Sequence, residues 1–487
     1  MPPTVLILGA GINGAALARE LALNGVGVVI VDRHDIASGA TAYSSRLIHG
    51  GLRYLEYGDF ALVRESLGER TRLLRLAPQF VRPLRLFIPV QNRFGGLMAA
   101  ARRFLGLKGR PPRQLKPGEQ PKALHRGLWT VRFGLWLYDN YARDPTLPKH
   151  QSHRAGAADV VPVDAHTYPW VCSFSDAQVV FPERFTLALL HDARQIAAGQ
   201  GTEFRVLTYH EATLEGKTVA IHRIGESQNP LPLGEGKVRV QENQRRHPNP
   251  DPPPEGEGGG FPPASVVQEF QPAAIVNATG AWVDLTNQAL GIAAKRMMGG
   301  TKGSHFVTSN SRLQQLLAGR AVYTEASDSR PIFILPFVYG TLVGTTDEPF
   351  TGDPATALAT PGELEYLVAA VNEVFPDLQL TTADIDMHYA GVRPLPFSDA
   401  STPGAVSRRH WMEEHPGTAV PYYSIIGGKL TTCRSLAEES AKVILKQLGL
   451  PHIANSEERA IPEMQHALIA ARGTLGVQAG SNDTSSA

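Results

Sequence analysis

The chain has 487 residues, 43% of them apolar, with 47 Lys and Arg against 46 Asp and Glu for a formal charge of +1. That is length and apolar content enough for two or three packed domains, and so even a balance argues against a chain built throughout to bind nucleic acid. Two cysteines, Cys172 and Cys433, cannot form a disulfide framework, and no apolar run reaches the ~20 residues of a membrane span.

These features predict a soluble or peripheral protein of a reducing compartment; no basic-then-apolar leader precedes a first strand that starts by about Thr4. The even charge hides a polarised molecule. Between Arg70 and Tyr138 fifteen Lys or Arg residues face one acid, Glu119, so this stretch carries +14 and the remainder −13.

The first element is the clearest. Val5-Leu6-Ile7-Leu8 ends at Gly9-Ala10-Gly11-Ile12-Asn13-Gly14, and small residues at helical spacing follow. Strand, tight turn and helix in that order make GxGxxG a dinucleotide cradle. Gly9 permits the turn, Gly11 lets backbone approach a diphosphate, and Gly14 lets the helix pack against the strand. Gly25 ends the helix. Val28-Val29-Ile30-Val31 reads as a buried parallel strand with Asp32 at its end, placed to accept ribose hydroxyls. The motif alone does not separate FAD from NAD.

Ser38 to Leu55 follows, rich in hydroxyls and glycines, including Thr41, Ser44, Ser45, Arg46, His49, Gly50, Arg53 and Tyr54. Such a segment suits an anionic or flavin-sized ligand, and it leads into a helix predicted over about Asp59–Leu76. Within it, Leu47-Ile48-His49-Gly50-Gly51-Leu52-Arg53-Tyr54-Leu55 resembles the signature of the FAD-dependent glycerol-3-phosphate dehydrogenases. The likeness returns at intervals to about Leu445 and so spans most of the chain.

Residues 91–126 are basic, and Leu97 to Leu107 patterns as a short amphipathic helix carrying Arg102 and Arg103. That pattern fits an anionic membrane surface or a solvated loop. Phe133-Gly134-Leu135-Trp136-Leu137-Tyr138-Asp139 resembles a further family segment. A helix is predicted over about Glu183–Ala198, with Phe185, Leu189, Ala193 and Ile196 on one face. Strands follow near Glu203–Leu207, Val219–Ile221 and Val238–Val240. The Pro/Gly-rich tract within 225–265 reads as a flexible hairpin extension.

Ala273 to Trp282 is an apolar strand closing on Asn277-Ala278-Thr279-Gly280; in the flavoproteins this chain resembles, such a strand runs under the cofactor. With no second GxGxxG, the expectation is one FAD. Lys302–Phe306, Pro331–Pro336 and Gly344–Asp347 read as strands and turns of a second, antiparallel sheet. Tyr389 to Leu395 and Val406-Ser407-Arg408 follow. Ser424 to Thr432 then leads into a helix with Leu436, Ala437, Val443 and Ile444 near one face, and a tail from about Gly476 reads as disordered.

The expected fold class is α/β, a Rossmann-like, glutathione-reductase-like FAD-binding domain holding one dinucleotide, with a second domain on a mostly antiparallel sheet. Residues 1–80, 150–295 and 385–450 are assigned to the first, and 81–149 and 296–384 to the second. Family members of the bacterial aerobic type continue with a helical C-terminal domain, expected here to be missing or vestigial.

The resemblance implies oxidation of sn-glycerol 3-phosphate to dihydroxyacetone phosphate, with FAD as hydride acceptor and a quinone beyond it. The setting it implies is cytoplasmic, peripheral on the inner face of the cell membrane. His49 and His305 are then candidate bases. Arg393 joins them as a catalytic candidate and joins Arg53, Tyr54, Arg408 and Lys429 as substrate contacts, because an Arg fork binds phosphate bidentately. The FAD contacts implied are Gly9, Gly11, Asn13, Gly14, Asp32, Thr41, Ser44, Ser45, Arg46, His49, Gly50, Thr279, Gly280, Gly428, Lys429, Leu430 and Thr431. The Gly427-Gly428 turn would stand at the flavin pyrimidine, and no metal ligands are expected. A flavin oxidase or dehydrogenase of an amino acid or 2-hydroxy acid is the alternative. Nucleic acid binding is not expected, since the basic stretch lacks interleaved stacking aromatics of the RRM or OB kind.

Overall fold

The computed structural model describes residues 2–57, 59–95, 127–224, 266–326, 328, 330–338, 340–397 and 409–463. The expectations for the amphipathic helix at Leu97–Leu107, the hairpin 225–265, Arg408 and the tail from Gly476 fall outside them, as does the side chain of Arg53.

The N-terminal layer is a six-stranded sheet. β1 (Thr4–Leu8) lies at its centre between β2 (Gly27–Asp32) and β11 (Ala274–Asn277), flanked in turn by β7 (Phe204–Thr208) and β19 (Tyr422–Ile426). All these pairings are parallel; only the edge strand β18 (Trp411–Glu414) runs antiparallel. Both faces are covered, so the strands are continuously apolar. Val5, Ile7, Val28, Ile30, Val276 and Ile425 point into helices α1 (Ile12–Leu23), α4 (Pro182–Gln200) and α8 (Cys433–Gln447). Leu6, Leu8, Val29, Val31 and Ile275 point the other way, onto the antiparallel meander β8 (His210–Glu215), β9 (Thr218–Arg223) and β10 (Val266–Phe270). The alternation follows from the two-residue period of a strand.

The second layer is the expected mostly antiparallel sheet. Its path runs β16 (Glu348–Pro349), β12 (Thr301–Thr308), β15 (Gly340–Gly344), β14 (Pro331–Phe337), β13 (Ala321–Glu325), β4 (Val81–Val90), β6 (Trp170–Val179) and β3 (Leu47–Ile48). β17 (Met387–Val392) pairs with β12, and β5 (Gln151–Arg154) with β6; only β13 and β4 are parallel. One face packs on α6 (Ser311–Leu317) and α7 (Pro361–Val374). The other packs on α2 (Phe60–Leu76) and α3 (Leu128–Ala142).

Two expectations change. β3, β5, β6 and β17 lie in the stretches that the sequence pattern groups with the dinucleotide-binding half, yet they hydrogen-bond into the second sheet. The chain crosses between layers more often than its local pattern shows, because pairing joins residues far apart in sequence. Val443 is 43% exposed. The buried stripe of α8 runs through Cys433, Ala437, Ser440, Ala441 and Ile444, and at about 100° per residue Val443 falls on its edge.

Candidate active site

A cavity of about 950 Å³ opens where the carboxyl ends of β1, β2 and β11 meet β12 and β17 of the second sheet. Clefts at this end of a parallel sheet, where strand order reverses, are where such folds bind ligands. At one end is the turn after β1. Gly9 has φ +104°, and its N–H donates to Val31 O at 2.8 Å. A side chain on Gly14 would lie 2.0 Å from the Gly9 carbonyl oxygen, so only glycine lets α1 start here. Thr41 Oγ1 reaches in to accept the Ile12 N–H at 3.1 Å.

Asp32 sits at the expected place. Its carboxylate accepts the N–H groups of Ala10 (2.7 Å) and His34 (2.8 Å), which leaves further lone pairs for hydroxyl donors. Burial raises its pKa, and these two N–H groups oppose the rise. Thr279 and Gly280 line the same wall, and Asn277 Oδ1 accepts both the N–H and the hydroxyl of Thr279.

Against the start of α1 lies the turn before α8, which also lines the cavity. Gly428 has φ +93°, and a side chain there would strike Asn13 Nδ2 and Leu436. Asn13 Nδ2 donates to Gly427 O at 3.4 Å, while Asn13 Oδ1 is buried with no hydrogen-bond partner among the described residues. Lys429 Nζ is likewise buried without one and stands 4.4 Å over the ring of Tyr54. Leu430 and Thr431 follow in the lining, and Thr431 Oγ1 accepts the His49 N–H at 3.1 Å. A buried ammonium without an acceptor beside a glycine turn that opens a 15-residue helix is a setting for negative charge.

The far end carries the acid–base candidates. His305, buried on β12, shares a 2.9 Å hydrogen bond with Ser45 Oγ and stacks on Tyr389 with centroids 4.9 Å apart. Burial, with the charges of Arg393 and Arg46, pushes its pKa down to about 3, so the ring is neutral. The Arg393 guanidinium is held by Asp347 Oδ1 (3.0 Å), Thr345 Oγ1 (2.9 Å), Thr346 O (2.8 Å) and Thr301 Oγ1 (3.2 Å). It still lines the cavity with His49, Tyr54, Ser44 and Ser45.

Two candidates are engaged elsewhere. Arg46 lines the cavity, but its guanidinium forks onto Glu183 at 2.8 and 3.1 Å and onto Val180 O at 2.7 Å. Gly50 faces away from the cavity. Its N–H donates to Tyr138 Oη (2.8 Å) and to Asp176 (3.3 Å) in a buried cluster where Arg70 and Tyr138 both donate to Asp176. Asp347 reads from sequence only as a turn residue, yet it holds Arg393. Tyr43 and Tyr389 join the lining without a motif to mark them, although the two-residue period of a strand puts Tyr389 and Arg393 on one face.

The cavity, the two glycine turns that meet at Asn13 and the unpartnered Asn13 and Lys429 atoms fit a dinucleotide carrying a flavin. A family model described as FAD dependent oxidoreductase matches residues 4–226 and 255–421. A glycerol-3-phosphate dehydrogenase of Synechocystis is 32% identical over 462 residues, covering 91% of this chain and 70% of that protein. The aerobic glycerol-3-phosphate dehydrogenase of Escherichia coli is 29% identical over 441 residues, covering 90% and 72%. The solved glycerol-3-phosphate dehydrogenase of Bacillus halodurans, complexed with FAD, matches with a TM-score of 0.58 at 21% identity, over 94% of this chain and 68% of that one; that likeness bears on the fold. Cradle, cavity and relatives agree: the chain belongs to the FAD-dependent glycerol-3-phosphate dehydrogenases of the FAD dependent oxidoreductase family, and its cofactor is FAD.

Proposed function

We propose that this chain oxidises sn-glycerol 3-phosphate to dihydroxyacetone phosphate and passes the electrons to a quinone. The observation that carries the reading is the convergence of Arg393, Lys429, His49 and a neutral His305 on the cavity that begins at the Gly9–Gly14 turn. The bound flavin supplies the hydride acceptor at N5. The protein's task is then to hold the phosphate, present C2 and take the hydroxyl proton.

Arg393 is the phosphate ligand. Asp347 and the three threonine acceptors fix its plane, so little side-chain freedom is lost when a second anion arrives. Arg53 joins it on the strength of its family motif, and Arg408 as a further guanidinium whose neighbours Arg409 and His410 match the family poorly. Lys429, without a hydrogen-bond acceptor among the described residues, stabilises negative charge at the flavin or on the substrate oxygen. His305 is a weak base as it stands. A phosphate dianion against Arg393 offsets one of the charges that depress it and raises its affinity for the hydroxyl proton. His49, held through its backbone by Thr431, is the second candidate for that proton.

Peripheral membrane attachment at the cytoplasmic face is part of the proposal. Among the described residues no helix is long and apolar enough to cross a membrane. The +14 stretch and the outer face of α3 support surface binding. Trp129, Phe133 and Trp136 are 47%, 51% and 53% exposed at spacings of four and three, with Arg132 stacked on Trp129. Aromatic and basic side chains together favour an anionic lipid surface.

Anaerobic titration with glycerol 3-phosphate tests the chemistry: the flavin absorbance should bleach. Unchanged absorbance refutes the substrate. Bleaching by a 2-hydroxy acid or amino acid, insensitive to inorganic phosphate, would move the chain to the alternative class, and peroxide formation in air would replace quinone by oxygen.

A further inference from the structure

Glu363 stands three residues into the first turn of α7, where a capping box with Thr360 requires one acceptor. It has far more. Oε2 accepts Lys302 Nζ at 2.6 Å and both the N–H and hydroxyl of Thr360 at 2.9 Å. Oε1 accepts Ser304 Oγ at 2.9 Å and Thr346 Oγ1 at 2.8 Å. Thr346 Oγ1 in turn accepts the Ser304 N–H at 2.9 Å, closing a triangle among three buried side chains. Burial alone would raise the carboxyl's pKa, but Lys302, Thr360, Thr346 and Ser304 together bring it down to about 2, so it is ionised.

The triangle's corners lead to the site. Ser304 precedes His305 on β12, and the carbonyl of Thr346 accepts Arg393 at 2.8 Å. β12 and the 344–347 turn thus meet at one carboxylate, which lies outside the cavity lining. We infer that Glu363 is a positioning residue, which through Thr346 and Ser304 sets the Arg393 guanidinium relative to the His305 imidazole. The inference rests on the reading of Arg393 as a phosphate contact.

A carboxylate serving only as a helix cap and ion pair would change stability. One that places Arg393 changes substrate binding. Glu363→Gln disturbs every bond, whereas Thr346→Val removes only the bridging hydroxyl and keeps the backbone carbonyl, the cap and the Lys302 pair. Both variants, loaded with FAD, should raise KM for glycerol 3-phosphate by about tenfold, the scale of one charge-assisted bond, with kcat within about twofold. The double variant should raise it no further than the larger single change, since both act through one path. Thr360→Ala removes the cap and one donor to Oε2 but leaves both Oε1 bonds, to Ser304 and Thr346, and should lower Tm with KM unchanged.

An unchanged KM in Thr346→Val overturns the inference, as does a KM rise in Thr360→Ala equal to that in Thr346→Val. Arg393→Ala separates the two levels. If it raises KM while Thr346→Val does not, the positioning role alone fails; if it leaves KM unchanged, the phosphate reading fails and the inference falls with it.

Discussion

Gly14→Ala probes the cradle on which the cofactor depends. The added methyl carbon would lie 2.0 Å from the Gly9 carbonyl oxygen and 3.4 Å from Ile7 Cγ2. The first is backbone in the tightest part of the turn, so relief requires α1 to move away from β1 by roughly 1 Å, since carbon and oxygen do not normally approach closer than ~3 Å. Overpacking of this kind costs about 1–3 kcal/mol. Alanine's better helix propensity returns up to ~1 kcal/mol, so the net loss is about 1–2 kcal/mol and the melting temperature falls by several degrees. The cofactor should report it more strongly. The first-turn N–H groups of α1 shift with the helix, and weakening one hydrogen bond to a diphosphate costs about 1.5–3 kcal/mol, or roughly 10- to 100-fold in FAD affinity. The assay is the flavin-to-protein absorbance ratio after gel filtration, with FAD Kd from fluorescence quenching. Gly199→Ala is the control: near the end of α4 with nothing within 4 Å of the new carbon, it should gain about 0.5–1 kcal/mol. If Gly14→Ala keeps wild-type Tm and FAD affinity, the close-packing argument is wrong.

The depressed pKa of His305 has a signed consequence. Between pH 6.5 and about 3 the unfolded ring is protonated and the native one is not, so stability falls with falling pH by up to ~1.4 kcal/mol per unit. His305→Asn should flatten the fall in Tm across that window, and an unaltered slope would show that the native ring is charged there. Asp176→Leu leaves Arg70 buried with only Asp144, 3.6 Å away, as a carboxylate partner. A loss of about 3–5 kcal/mol is expected, read by thermal melting, and a loss below ~1 kcal/mol would contradict a load on that cluster. Replacing Trp129, Phe133 and Trp136 together by Ser should reduce flotation with anionic liposomes while leaving flavin bleaching intact. A deletion of 91–126 should do the same, and equal flotation of all three proteins would refute the membrane surface.

What the sequence determined by itself is local. From Thr4 to Asp32 strand, turn, helix and second strand follow within one short stretch, and the task of Gly14 is set by Gly9 and Ile7, a few residues away. The capped start of α2, with Asp59 accepting the Leu62 N–H, is legible for the same reason. Tertiary structure decided the rest, because it depends on contacts that composition and periodicity do not encode. His305 meets Ser45 across 260 positions, and Lys429 stands over Tyr54 from the far end of the chain. Arg46 and Gly50 sit in the right motif, but folding turns one toward Glu183 and the other toward Asp176. Asp347 and Glu363 look like an ordinary turn acid and an ordinary helix-start acid; only the packing of α7 and the 344–347 turn against β12 makes them the supports of Arg393.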